Sequence, residues 1–93
     1  MRNQGQRVVR QKRVKIANEL ILWIEDLPQT KGHLAFPVVE QFARERKETL
    51  FEVWEAWAIL RAANRLNSDG RHGWELLNTT PIQVNANGDI IQG

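Results

Sequence analysis

Residues 49–66, TLFEVWEAWAILRAANRL, constrain the fold most, because the stretch is long, lacks Gly and Pro, and is apolar on two sides. On a helical wheel, Leu50, Val53, Trp54, Trp57 and Leu60 form one apolar sector. Ile59, Ala62, Ala63 and Leu66 form a second sector near the opposite side. A helix that is apolar on more than one side sits centrally, with other elements packed around it. Its start is marked by Thr49, a preferred N-cap, and by Glu52 three residues on, the spacing of a capping box. Glu48, Glu52 and Glu55 crowd the first turns and Arg61 and Arg65 the last, matching the helix dipole.

The rest of the chain arranges itself around that helix. Residues 1–9 are polar and basic with a glycine, and read as a flexible arm. Over about residues 10–27, Val14, Ala17, Leu20, Ile21, Ile24 and Leu27 share one helical side, widened by Ile16 and Trp23. Leu22 falls in the middle of the polar face, either as an isolated exposed apolar residue or as a partner contact. Pro28 ends this helix by Asp26 or Leu27. Pro37 suits the first position of a second helix, about residues 37–47, with Val38, Val39, Phe42 and Ala43 on its apolar face. The charged run RERKE and the capping box separate it from the third helix; one continuous helix over residues 38–66 is the alternative. After residue 66, the cluster Asn67-Ser68-Asp69-Gly70-Arg71-His72-Gly73 is a turn signal, and residues 74–77 are a short strand candidate. Alternating apolar residues flank Asn85-Ala86-Asn87-Gly88, which predicts a hairpin over about residues 82–91. The expected fold is mainly α with a small C-terminal β-hairpin: a three-helix core plus a wing-like hairpin, one domain over residues 10–93 behind the arm.

Charge is divided unevenly along the chain. Residues 1–15 hold six basic side chains and no acid, whereas the remainder holds seven basic and eleven acidic ones. A basic arm on an acidic body points to an anionic partner or to a solvated tail. With no cysteine, disulfides and thiolate zinc sites are excluded and a cytoplasmic location is expected. No apolar run reaches the roughly 18–20 residues that span a bilayer, and no signal-peptide region follows the basic start. No membrane partner is expected.

Two helices joined by a tight turn, with a helix before and a hairpin after, resemble a helix-turn-helix domain with a wing. The resemblance lies in VEQFARERKETLFEVWEAWA, residues 39–58, where Ala43 supplies the small residue and Phe42, Val53 and Ala56 the buried contacts. The stretch departs from the motif at Lys47, where the family turns through glycine, and at Arg46 and Glu48, where it has apolar residues. The resemblance implies DNA binding, but a recognition helix led by Glu48, Glu52 and Glu55 would face the phosphate field. The expected nucleic-acid contacts are therefore Arg2, Arg7, Arg10, Lys12, Arg13 and Lys15 of the arm, assisted by Arg44, Arg46 and Lys47 and by Arg71. The segment Gly73-Trp74-Glu75-Leu76 also resembles the entry into a strand in a family of small domains, which bears on local structure alone.

Other chemistry has little to work with. His33 and His72, with Asp69, lack clustered ligand spacing, so no metal is expected. Gly70-Arg71-His72-Gly73 has the Gly-x-x-Gly form of an RNA-clamping loop, but without the two flanking helices that loop requires. No nucleophile motif or phosphate-binding glycine loop is present, so no catalytic residue, cofactor or small-molecule substrate is expected. Trp23, Trp54, Trp57 and Trp74 are read as core before base-stacking rings. The function that follows is a small non-enzymatic nucleic-acid-binding or regulatory protein. The alternative is a protein-interaction or homodimerisation module using Leu22 and the Ile90–Ile91 edge.

Overall fold

A computed structural model describes residues 2–68 and 73–91 of the chain, with side chains from residue 9 onward. Helix α1 (Arg2–Glu25) is followed by strand β1 (Lys31–Gly32), helix α2 (Phe36–Arg46) and helix α3 (Leu50–Ala62). Strands β2 (Leu66–Ser68), β3 (Trp74–Leu76), β4 (Gln83–Val84) and β5 (Ile90–Ile91) complete the order.

The first helix starts earlier than expected, its backbone being helical from Arg2 rather than from about residue 10. Gln and Arg are good helix formers, and the single Gly5 costs about 1 kcal/mol without breaking the run. Past Glu25, Asp26 N–H still bonds Leu22 C=O and Leu27 N–H bonds Ile24 C=O, after which Pro28 forbids another turn.

The region from α2 to α3 is two helices. Lys47 closes α2 in the left-handed conformation (φ 57°), and the Glu48 amide donates to Ala43 C=O at 2.9 Å. A lysine there carries the backbone cost that glycine avoids. Thr49 then caps α3 as its sequence predicts: its hydroxyl accepts from the Glu52 amide at 3.1 Å, and the Glu52 carboxylate accepts from the Thr49 amide at 3.4 Å.

The third helix is shorter than residues 49–66. It ends at Ala62, and the chain turns through Asn64 (φ 60°), with Arg65 N–H bonded to Leu60 C=O at 2.9 Å. Asparagine tolerates this conformation better than most residues, and its propensity outweighed the apolar periodicity beyond it. Leu66 is therefore buried as a strand residue, not as the last helical contact.

β3 lies in the middle of a three-stranded antiparallel sheet of order β1-β3-β2. Gly32 faces Trp74 across one pair and Leu66 faces Leu76 across the other. β4 and β5 form a separate antiparallel pair, closed by Gly88 at φ 85° and by Asn85, whose side-chain oxygen accepts from the Asn87 and Asp89 amides. This ribbon is fastened to α1 by Asn18, which donates to Ile82 C=O at 2.9 Å and accepts from Ile82 N–H at 2.8 Å.

Among the described residues the fully buried side chains are all apolar. Val14, Ala17, Leu20, Ile21 and Ile24 of α1 pack with Val39, Phe42 and Ala43 of α2 and with Val53, Ala56, Trp57 and Leu60 of α3. Edge-to-face pairs join Trp23 to Phe42 at 5.5 Å and Trp57 to Trp74 at 5.9 Å. Among the described residues no helix is long and apolar enough to cross a membrane.

Candidate nucleic-acid interface

The cationic residues divide into three groups by what the fold does with them. Among the residues whose side chains are described, Val14 is the first buried one of α1, and residues 2–13 make roughly 18 Å of helix before it. Arg2 and Arg7 lie on this stretch; their side chains fall outside the described residues. Arg10 and Lys15 are exposed and make no ion pair among the described residues.

Lys12 and Arg13 are committed inward. Lys12 Nζ reaches Glu52 at 2.9 Å, while Arg13 spans both acids, with Nη1 3.0 Å from Glu52 and Nε 2.6 Å from Glu55. The Arg13 side chain is only 14% exposed, so this pairing is shielded better than a surface contact. Hydrogen bonding from Lys12, with further bonds from Thr49, holds the Glu52 carboxyl at about 2, below its ordinary value of 4.5. Two of the three acids at the head of α3, Glu52 and Glu55, are thus paired by the basic helix itself.

Arg44, Arg46 and Lys47 form the third group. Arg44 pairs with Glu40 at 3.6 Å, and the Arg46 guanidinium lies 5.6 Å from the centroid of the buried Phe42 ring. These contacts lie near the other end of α1, where Trp23 meets Phe42 and donates to Glu45 at 3.0 Å. Ten residues of α1 separate Trp23 from Arg13, roughly 15 Å, so Arg44 and Arg46 are not gathered with the basic start of α1. The Trp23 bond is also the main reason that the Glu45 carboxyl is held below its ordinary range. Arg71 lies outside the described residues, as do Asp69, His72 and Gly70. Among the described residues no group of His, Cys, Asp or Glu could hold a metal ion.

One feature of the site was not anticipated. Leu50, Phe51 and Trp54, on the outward side of α3, are 41%, 66% and 36% exposed, and Leu34 and Phe36 nearby are 61% and 49% exposed. Trp54 and Leu50 were expected in the core sector, yet lie at its margin. The Phe36 and Trp54 rings are 6.4 Å apart, and the Arg13 guanidinium is 6.0 Å from the Phe51 centroid. A signal was available, because Phe51 falls outside both apolar sectors of the wheel and so had no assigned neighbour. No family model matches the chain, and neither a curated protein nor a solved structure matches it.

Proposed function

We propose that this chain is a small non-enzymatic nucleic-acid-binding protein that grips the phosphate backbone with the first half of α1. The observation that carries this reading is a helix whose residues 2–15 hold six cations and no acid. Such a stretch attracts polyanions by neutralising phosphates and releasing their counterions. The capture of Glu52 and Glu55 by Lys12 and Arg13 removes the local repulsion that an acidic α3 would create.

The order helix, strand, two helices and hairpin, with β1 joined to β3, resembles a winged helix-turn-helix domain and supports this reading. The test is fluorescence anisotropy of labelled nucleic acid with the full chain and with a triple variant, Arg7→Ala, Arg10→Ala and Lys15→Ala. Affinity should fall steeply with salt, and the variant should bind more weakly with a shallower salt slope, by up to about one unit per lost phosphate contact. Absence of binding at low salt would sink the proposal.

Leu22, 59% exposed, and Ile91, 45% exposed, favour a second reading as a homodimerising module. That reading expects twice the 10.8 kDa chain mass in sedimentation equilibrium, and no affinity for nucleic acid.

A further inference from the structure

We infer that the nucleic acid is single-stranded and that its bases stack on the exposed rings at the start of α3. This rests on the nucleic-acid reading above and makes it specific. Phe51, Phe36 and Trp54 all keep substantial exposed area, and Leu34 and Leu50 extend the surface they form. A contiguous apolar surface of this kind marks an interaction site, and its surroundings decide what it accepts.

One flank of this surface is the basic start of α1. Arg13 borders Phe51 directly, and Arg10 lies one turn earlier on the same side of α1, exposed and without an ion pair among the described residues. Glu52 and Glu55 are held by Lys12 and Arg13, leaving the ring surface beside a helix with cations to spare. Glu48, at the turn between α2 and α3, is only partly exposed. Exposed rings with the free Arg10 one turn away suit a single strand, whose bases stack on the rings while its phosphates meet that end of α1. A duplex hides its base faces and presents edges that need hydrogen-bonding partners. Leu50 and Phe51 supply no hydrogen-bonding group, and Trp54 only one donor.

The test compares a short labelled oligothymidine with a duplex of equal length, using the full chain and the variants Phe51→Ala and Phe51→Leu. Phe51 is exposed, so both variants should retain the parent's thermal melt. The single strand should bind at least about tenfold more tightly than the duplex, and each variant should weaken it about tenfold, one stacked ring's share. Duplex binding should be unchanged by either variant. Equal binding of both oligonucleotides, unaffected by the variants, would overturn the stacking inference and leave the basic-helix reading standing. Normal single-strand binding by Phe51→Leu, with loss in Phe51→Ala, would overturn it as well, since a leucine replaces apolar contact but not stacking. No binding of either oligonucleotide would remove both readings and make the surface a protein-docking site.

Discussion

A Cβ atom added to Gly32 would lie 2.8 Å from Nε1 of Trp74. The indole cannot swing away freely, because it is 5% exposed and donates to Leu34 C=O at 3.1 Å. Trp57 packs against it edge-to-face at 5.9 Å. Gly32 is thus required for the close approach of β1 to the indole of β3, not for an unusual backbone angle. We expect Gly32→Ala to cost about 1–3 kcal/mol in urea unfolding, the range for an overpacked site. An unchanged midpoint would mean that the indole has room to move. Lys47 shows the converse case, a side chain retained where glycine would relieve the backbone.

At the scale of elements, the amide of Asn18 ties the ribbon β4–β5 to α1, beside the packing of Ile82, Val84 and Ile90 on the core. Asn18 imitates a strand partner by both donating to and accepting from Ile82, and the side chain of Ile82 is buried. Replacing Asn18 with Ala leaves both backbone groups seeking water, a loss of about 1–3 kcal/mol. In hydrogen exchange, the amides of residues 83–91 should become faster while those of α3 keep their protection. Uniform acceleration would instead place the ribbon inside the cooperative core.

The elements also differ in how far sequence reveals them, and the difference is one of range. The capping box of α3 spans three residues and was legible at Thr49 and Glu52. The apolar face of α1 and its stop before Pro28 are equally local. β1 was not legible, because two residues, Lys31 and Gly32, become a strand only by meeting Glu75 and Trp74 far along the chain. Leu66 continued the helical periodicity, but Asn64 ended the helix, and the same leucine was buried by the sheet. For the candidate site, the cations were visible in the sequence while their allocation was not. Lys12 and Arg13 look like Arg10 and Lys15 until α3 brings Glu52 and Glu55 against them. The exposed rings were hidden for a related reason, since periodicity marks an apolar sector without saying which part a neighbour covers.

For the whole molecule, the pairing of α1 with α3 ties stability to pH. Glu52 titrates near 2 in the folded chain and near its ordinary 4.5 when unfolded. A depressed folded value means that its contribution is present above about 4.5 and is lost as pH falls from there toward about 2. Glu45 contributes in the same direction. The parent's melting temperature should therefore exceed that of Glu52→Gln at neutral pH, with the gap closing across that acid window. A gap that stayed constant with pH would show that the ion pairs do not set it. Added salt should narrow the gap, because the Lys12 side chain that holds the Glu52 value down is open to solvent.

The strand order β1-β3-β2 also has a consequence for how the molecule is made. The strand that emerges last of the three is the one both others need. While a ribosome is still adding residues up to Leu76, β1 and β2 have no common neighbour, and Trp57 lacks the indole that packs against its edge. The helices can gather before β3 emerges, since all three precede it in the chain, but the nascent chain carries an unfinished apolar flank until Trp74 arrives. Synthesis stopped just short of that tryptophan would leave a helical body with its sheet unmade.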